Sequence, residues 1–406
     1  MTLDAIDFRD PDLYAKGFPH ELFARLRRED PLHWSPEAGG RGFWCVTKYD
    51  DVVAVSKNPH VFSSARALGG HRIFDENEVG IAGLGAEKTE APFISMDPPE
   101  HNRYRRMLSP SFGPSQLALL APMIRERVSA LLDRLGDRRE CEFVTEVAAE
   151  LPIQVLAELL GIPQSDRLKL FDWSNALIAE DDPELRKSPE QLASDMGEMT
   201  EYAAHLWDQR VAHPGKDLIS ALATSRVDGE AMTKEQYLGT FILIIVGGNE
   251  TTRNSISGGV LALSDFPDQR RRLLDDPSLV ETAANEIVRW VCPIMHMRRT
   301  AAVDTELRGK PVRKGDKLIL WYASANRDED AFAAADRFDV GRDGPQQLGF
   351  GIGQHFCLGA RLALLQLRSF FSEFLRRYPE AHVTSPPRLV RSNFVHGFKD
   401  LSVRLR

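Results

Sequence analysis

Helical periodicity beyond residue 100 is the sequence feature that most restricts the fold. Apolar residues recur there at three- and four-residue spacings, and Pro or Asp stands near many of the predicted helix starts. The predicted helices span 100–108, 115–135, 142–159, 164–179, 190–212, 233–264, 268–275, 278–291 and 358–377. Because no linker or repeat divides the chain, we predict one large α-rich domain over residues 1–406.

Strand-like patterns lie on both sides of the helical region. β-Branched and aromatic residues mixed with turn residues predict strands at 42–59, 296–322 and 383–405, the first followed by a short helix. Residues 63–94 are irregular and rich in glycine, and a loop of that length in a compact fold more often covers a functional site than spaces two elements. The predicted fold class is therefore mostly α with small β-sheets.

Composition and charge exclude several classes of protein. The formal net charge of −8 disfavours non-specific binding of nucleic acid, which needs clustered Lys and Arg. The N-terminal stretch has no apolar signal core, and the most apolar run, 240–248, is too short to span a bilayer. The four cysteines form no C-x-x-C pair, which argues against a disulfide framework or a zinc site. We expect a cytoplasmic protein without a membrane anchor.

The long predicted helix 233–264 carries a polar interruption, "IIVGGNETTRNS". Gly247 and Gly248 each cost a helix about 1 kcal/mol relative to alanine, and a Thr such as Thr251 can bond back to the carbonyl one turn earlier. One interpretation is a packing notch for another helix. The interpretation we favour is a ligand site, in which the glycines leave room for a flat ligand or a small gas and Glu250 and Thr251 handle protons.

The stretch "FGIGQHFCLG", residues 350–359, places a cysteine in a glycine-rich turn at the start of a predicted helix. Gly351 and Gly353 allow backbone conformations closed to other residues, and Gly359 has no Cβ to obstruct a large planar group. Unpaired amides at a helix N-terminus lower the pKa of a thiol, so we expect Cys357 to favour the thiolate.

Such a thiolate suits three uses: nucleophile, redox thiol or metal ligand. The competing interpretation is that Cys357 is a small buried apolar residue, as most lone cysteines are. His355 stands two residues away, but adjacency in sequence does not establish the hydrogen bond that a nucleophile needs from its base. A thiolate-ligated haem accounts for more of the pattern, since the glycines give clearance for the porphyrin and His355 can reach a propionate.

On these residues the chain resembles the cytochrome P450 superfamily. "FGIGQHFCLG" matches that family's cysteine loop, Phe-Gly-x-Gly-x-His-x-Cys-x-Gly, at all six fixed positions. "EIVR" matches its Glu-x-x-Arg motif, and "GGNET" matches its oxygen-binding kink, with Glu where many members have Asp. "HNRYR" and "RTA" stand where relatives hold the haem propionates. The motifs occur in the family order from about residue 96 to the C-terminus, so the resemblance covers essentially the whole chain.

The resemblance implies a single triangular α-rich domain and a haem-thiolate monooxygenase. It implies haem b with the Cys357 thiolate as the iron ligand, which pushes electron density onto the iron and favours O–O cleavage. It implies that Glu250 and Thr251 relay protons. The implied cofactor-binding residues are His101, Arg105, Gly247, Gly248, Arg299, Phe350, Gly351, His355, Cys357 and Gly359. Glu286, Arg289 and Arg337 are implied to form a structural charge network.

The chain shows no flavin or nicotinamide fingerprint, so the resemblance implies separate electron donors: a ferredoxin and its NAD(P)H-dependent reductase. Such donors are usually acidic, and Arg103, Arg106 and Arg361 are candidates for a docking patch, with ordinary solvated arginines as the equal alternative. We expect a monomer that binds O2 and a hydrophobic small molecule.

The family layout also implies a substrate pocket with an aliphatic lining. The implied residues are Ile81, Leu84, Leu177, Ile178, Leu243, Val246, Ile294, Met295, Phe394 and Val395, although each of them also suits a plain core. Strings such as "MHMRRTA" and "SNFVHGF" look like the bacterial alkane and fatty-acid terminal hydroxylases. We therefore expect terminal hydroxylation of medium-chain alkanes or fatty acids. The alternatives are a terpenoid or sterol hydroxylase, a peroxide-driven haem-thiolate enzyme, which "NETT" argues against, and a non-enzymatic haem sensor.

Overall fold

Capped helices and short strands make up the fold. The structure, a computed structural model, describes residues 2–77, 90–177 and 180–406, together with the backbone of residue 178. The helices in these ranges are α1 (His20–Glu29), α2 (Tyr49–Ser56), α3 (Glu100–Leu108), α4 (Pro114–Asp133), α5 (Glu150–Leu160), α6 (Arg167–Ile178), α7 (Pro189–Ala212), α8 (Leu218–Thr224), α9 (Lys234–Asp265), α10 (Pro267–Asp275), α11 (Val280–Val291), α12 (Tyr322–Ala325) and α13 (Ala360–Arg377).

The strands are short and lie toward the two ends of the sequence, apart from the small hairpin β5–β6. They are β1 (Leu32–Ser35), β2 (Phe43–Val46), β3 (Phe62–Ser63), β4 (Glu140–Glu142), β5 (Arg226–Val227), β6 (Glu230–Ala231), β7 (His296–Ala301), β8 (Thr305–Leu307), β9 (Lys310–Val312), β10 (Lys317–Trp321), β11 (His382–Val383), β12 (Arg388–Leu389), β13 (Phe398–Asp400) and β14 (Ser402–Arg404). The predicted class, mostly α with small sheets, is confirmed.

Several predicted helices agree with the observed ones to within one residue, namely α3, α7, α9 and α10, and two of these begin with a capping box. Ser188 and Gln191 form a capping box at the start of α7, and Thr233 and Gln236 form one at the start of α9. The predicted helix 142–159 is wrong at its beginning, where the chain instead forms strand β4 and a single π-helical turn, Val144–Ala148, before α5. Helices α1 and α8 were not predicted.

Helix α9 is the centre of the helical part. It runs for 32 residues without a break and is buried around most of its circumference, as expected for a helix inside a large core. It contacts α5, α6, α11 and α13, so side chains on different faces of α9 meet different helices. No helix within the described residues is both long and apolar enough to cross a membrane.

A five-stranded sheet packs over a second apolar core. Its strand order is β1-β2-β10-β7-β3, with β10 parallel to β2 and the other pairs antiparallel. Side chains alternate between the two faces of a strand, so in β7 Met297 and Arg299 share one face and Arg298 takes the other. Arg298 is 3% exposed and donates to the carbonyls of Leu68 and Phe74, which fixes the loop before residue 78.

A buried charge network holds the segment that leads to the cysteine. Arg289 donates to both carboxylate oxygens of Glu286, at 2.7 and 2.8 Å. The third member is Arg342, whose Nε lies 3.0 Å from Glu286 Oε2. The prediction of Arg337 in this role is wrong, because its side chain is turned outward to Asp268 and only its carbonyl oxygen joins the network, accepting from Arg289 and Arg342.

Replacing Arg342 with alanine is expected to destabilise the fold more than replacing Arg337. A charge-assisted hydrogen bond to a buried carboxylate contributes about 1.5–3 kcal/mol, whereas an exposed ion pair contributes at most about 1 kcal/mol. Equilibrium urea unfolding, followed by far-ultraviolet circular dichroism, measures both free energies. Arg337→Ala is the matched control, and equal losses in the two variants would contradict the assignment of Arg342.

Candidate active site

A cavity lies between α9 and the segment 349–359, here called the cysteine loop. Helix α9 contributes both apolar and hydroxyl side chains to one wall, among them Leu243, Ile244 and Thr251. The cysteine loop and the first turns of α13 form the opposite wall, and α3 and β7 close the sides. The sequence elements that were singled out separately therefore meet at one place.

The cysteine loop presents Cys357 to this cavity. The backbone amide of Cys357 donates to the Phe350 carbonyl across 2.8 Å, which closes the turn. Gly353 has φ +73°, and a Cβ there would come within 2.6 Å of the Ser56 carbonyl oxygen. Gly353 is thus required for close approach to the end of α2, and the expectation that it clears space for the porphyrin is wrong. A Cβ on Gly359, by contrast, would meet no atom within 4 Å.

The environment of the Cys357 thiol differs from the expectation of a lowered pKa. Desolvation is the largest effect and raises the pKa of the thiol. The Gly359 and Ala360 amides and the positive charge of Arg105 act in the opposite direction, as expected at a helix N-terminus, but they do not outweigh it. Burial therefore opposes ionisation of this sulfur, whereas coordination to a metal ion would favour the thiolate.

Four cationic or titratable side chains gather at one side of the cavity: His101, Arg105, Arg299 and His355. The rings of His101 and His355 lie 4.2 Å apart between centroids. Both ring nitrogens of His101 and Nε2 of His355 are buried without a hydrogen-bond partner. No carboxylate among the described residues pairs with either arginine, and desolvation together with Arg105 lowers the pKa of His101 to about 4.

These residues fit a haem. The cluster, here called the cationic cluster, supplies two guanidinium groups and unpaired ring nitrogens, which match two propionates through charge-assisted hydrogen bonds. Cys357 supplies a sulfur ligand on the facing wall, and the open space at Gly359 and Gly247 accommodates a flat macrocycle. Phe350, Gly351 and Gly248 also line the cavity, and Gly248 lies beside Leu156, another residue of the wall.

The two predicted proton-relay residues occupy different positions relative to the cavity. Thr251 lines it, and its Oγ1 donates to the Gly247 carbonyl across 2.7 Å. Glu250 does not line it: the carboxyl is 2% exposed, one oxygen is ion-paired with Arg253, and the other has no partner. Burial raises the pKa of Glu250, and the charge of Arg253 opposes the shift. The structure thus brings Thr251 to the site and withdraws Glu250 from it.

Polar side chains beside Glu250 connect α9 to α6, a link that sequence reasoning missed. Asn249 Nδ2 donates to Ser174 Oγ across 2.6 Å, and Arg253 Nη1 donates to Asn175 Oδ1 across 3.0 Å. The two partners lie more than 70 residues away in the chain, so no local pattern reports them. The same stretch of α9 therefore serves both the cavity wall and the attachment of α6.

Few of the predicted substrate-pocket residues line the cavity. Leu243 and Ile294 do so. Leu177 and Val246 are partly buried elsewhere, while Met295, Phe394 and Val395 are buried outside the lining. Ile81, Leu84 and the Ile178 side chain lie outside the described residues.

Two methionines near the start of β7 have different surroundings. Met295 precedes the strand, which begins at His296, and belongs to the second apolar core. Met297 lies inside the strand and lines the cavity two residues before Arg299, on the same face of β7. Strand alternation is the signal that would have identified Met297, but it does not extend to Met295. Phe394 packs against the ring of His296 and lies under the guanidinium of Arg72.

The predicted docking arginines differ in their partners. Arg103 is ion-paired with Glu230 and Arg106 with Asp228, both acids of the β5–β6 hairpin. Arg361, at the start of α13, is exposed and has no ion-pair partner within the described ranges.

Comparison with known proteins shows which family has this sequence and fold. The cytochrome P450 family model matches residues 152–396. The chain is 47% identical to linalool 8-monooxygenase of Pseudomonas putida, over 98% of each chain. It is 39% identical to the methyl-branched lipid omega-hydroxylase of Mycobacterium tuberculosis, over 94% of this chain and 90% of the relative. A Mycobacterium marinum cytochrome P450 in complex with pseudoionone superposes with a TM-score of 0.91 at 36% identity, over 100% of this chain and 99% of that one.

Replacing Arg299 with leucine is expected to loosen the haem. Loss of a charge-assisted hydrogen bond of about 1.5–3 kcal/mol corresponds to about 10- to 100-fold faster haem dissociation. The rate is measured as haem transfer to apomyoglobin. Arg361→Leu is the control, since it removes the same charge at an exposed position that does not line the cavity. A dissociation rate for Arg299→Leu equal to that of the control would exclude Arg299 from propionate binding.

Proposed function

This chain belongs to the cytochrome P450 family of haem-thiolate monooxygenases, and we propose that it hydroxylates a methyl end of an uncharged, methyl-branched hydrocarbon chain, an acyclic terpenoid in particular. The electrons are proposed to come from a separate ferredoxin and its NAD(P)H-dependent reductase. Linear alkanes and fatty acids, the substrates expected from sequence, are the competing class.

The observation that carries the proposal is the distribution of charge in the cavity. Apart from Cys357 and the phenol of Tyr322, all charged or titratable side chains of its lining belong to the cationic cluster, which haem propionates would neutralise. The rest of the wall is largely apolar, with Phe93, Ile94, Ile244 and Met297 beside Leu243 and Ile294. Within the described residues, no cation of the lining is therefore left to pair with a substrate carboxylate. A neutral substrate suits this wall better than a fatty acid does.

The named relatives support the branched chain and the terminal position. Linalool is an acyclic, methyl-branched terpenoid alcohol, and pseudoionone, bound in the Mycobacterium marinum structure, is an acyclic terpenoid ketone. A further relative is named for omega-hydroxylation of a methyl-branched lipid. All three molecules are neutral or largely hydrocarbon at the end away from their polar group, which matches the apolar wall.

The reaction needs protons and the exclusion of bulk water as well as a bound substrate. The haem, when bound, supplies the activation of O2 and the insertion of one oxygen atom into a C–H bond. Thr251 holds its hydroxyl at the cavity through its bond to the Gly247 carbonyl, which leaves the oxygen lone pairs free to accept from water. Glu250 does not line the cavity, so we propose that its carboxyl takes up a proton and passes it to that water when it turns away from Arg253.

Thr251→Ala is expected to separate electron use from product formation. Without the hydroxyl, protons are no longer delivered at a fixed position, so NADH oxidation continues, hydrogen peroxide accumulates, and product per NADH falls about 10-fold or more. Product, peroxide and NADH are measured together in the reconstituted system. Thr251→Ser, which keeps the hydroxyl, is the control, and full coupling in Thr251→Ala would contradict the relay.

A binding-spectrum titration tests the substrate class. We expect linalool and other acyclic terpenoids to shift the haem spectrum at lower concentration than lauric acid, because the wall lacks a free cation for its carboxylate. We expect them also to act at lower concentration than octane or cholest-4-en-3-one, because two of the named relatives are described with an acyclic terpenoid and one with a methyl-branched lipid. Product analysis by mass spectrometry then locates the hydroxyl group. Tighter binding of lauric acid or octane would restore the linear-chain prediction, and a response to the steroid alone would exclude both classes of acyclic substrate.

A further inference from the structure

The outer side of α3 is a basic surface next to the haem site. Arg105 lines the cavity and also a surface groove that it shares with Asn102 and Arg106. Gln354 of the cysteine loop donates to Asn102 across 2.9 Å, so the loop and this part of α3 are joined. Arg106 therefore shares a surface groove with Arg105, a member of the cationic cluster, and Arg103 lies one turn of α3 before Arg106.

The β5–β6 hairpin places two acids against this surface. Strand β5 packs against α3, and the hairpin turn carries Asp228 with φ +56°. Asp228 Oδ2 lies 2.6 Å from Arg106 Nη2, and Glu230 is ion-paired with Arg103. Both acids are largely exposed, at 69% and 66% of their side chains, and neither has another ion-pair partner among the described residues.

We propose that the β5–β6 hairpin is an acidic guard that occupies Arg103 and Arg106 in the free protein and is displaced when an acidic electron-donor protein docks on α3. The proposal rests on the donor class of the proposed function and adds a competitor for the donor within the chain. Docking then exchanges two intramolecular ion pairs for intermolecular ones, while Arg361 has no such competitor.

Exposure of the two acids makes this exchange feasible. The pair of Arg106 and Asp228 is exposed on both sides, whereas Arg103 is 24% exposed and meets the solvent mainly through Glu230. Ion pairs with exposed acids are weak and are screened by salt, so two of them delay a competing protein without excluding it. A binding site that is available for only part of the time lowers the apparent affinity by that fraction. Removing both acids is therefore expected to lower the donor concentration for half-maximal reduction about threefold to tenfold at low ionic strength, with a smaller gain at high ionic strength.

The test compares the holoenzyme with its Asp228→Asn/Glu230→Gln variant. Asn is favoured at a left-handed turn position, so the substitution preserves the hairpin. An acidic plant-type [2Fe–2S] ferredoxin, reduced by its NADPH-dependent reductase, is titrated under carbon monoxide without oxygen, and the rate of formation of the reduced carbon-monoxide complex is followed by stopped flow. This readout requires no substrate. Glu306→Gln is the matched control, since Glu306 is an exposed acid of the other hairpin, β8–β9, and pairs with no cation among the described residues.

A gain in the double variant that is absent in Glu306→Gln, and that disappears when Arg103 and Arg106 are also replaced with glutamine, supports the guard. An unchanged or raised half-maximal concentration in the double variant overturns it, the raised value showing that the acids assist docking. Lack of reduction by ferredoxin in every protein, with dithionite still producing the carbon-monoxide complex, overturns the proposed donor and the guard together. Failure of the guard alone is therefore distinguishable from failure of the proposed function.

Discussion

Uncompensated positive charge beside the cysteine loop is the constraint on which the site depends. The charge comes from Arg105 and Arg299, neither of which has an ion-pair partner among the described carboxylates. They meet His101 and His355, whose pKa values are lowered by burial, and the four residues come from three separate parts of the chain. Buried cations are costly unless they are paired, so the surroundings of this cluster are complete only with an anion. A dianionic macrocycle that also binds the Cys357 sulfur meets this requirement at both ends. The ion pairs that would bind the haem propionates would therefore also stabilise this part of the protein.

The polar side chains of α9 are fixed by contacts outside the cavity. Asn249 and Arg253 donate hydrogen bonds to α6, and the carboxyl of Glu250 is ion-paired with Arg253. The carboxyl is thereby kept away from the reacting centre until a neighbour moves. Since Arg253 is also bonded to α6 through Asn175, a shift of α6 would change the partners available to Glu250. In the proposed relay, the attachment of α6 and the supply of protons are therefore linked through the guanidinium group of Arg253.

The sequence predicted those parts of the site that depend on residues close together in the chain, and it missed most contacts between residues far apart in the chain. The cysteine turn and the glycine pair of α9 are local patterns, and their residues indeed line one cavity or support its loop. Arg342 replaced Arg337 because the choice between two arginines five residues apart depends on how an irregular loop turns, which periodicity does not report. The link from Asn249 to Ser174 joins two helices that are distant in the chain. Met297 was within reach of sequence reasoning, since strand alternation relates it to Arg299.

Charge is arranged in opposite ways inside and outside the molecule. Inside, the cationic cluster is left without described carboxylates, so that an added anion is bound firmly. Outside, Arg103 and Arg106 are each paired with an acid of the hairpin. The protein as a whole has a net charge of −8, so acidic residues outnumber basic ones. An uncovered basic patch on an acidic protein would attract every acidic surface, including that of another copy of this chain. The hairpin acids pair weakly with the arginines of α3, which reduces such contacts. A partner that brings more than two carboxylates to this surface can still displace them.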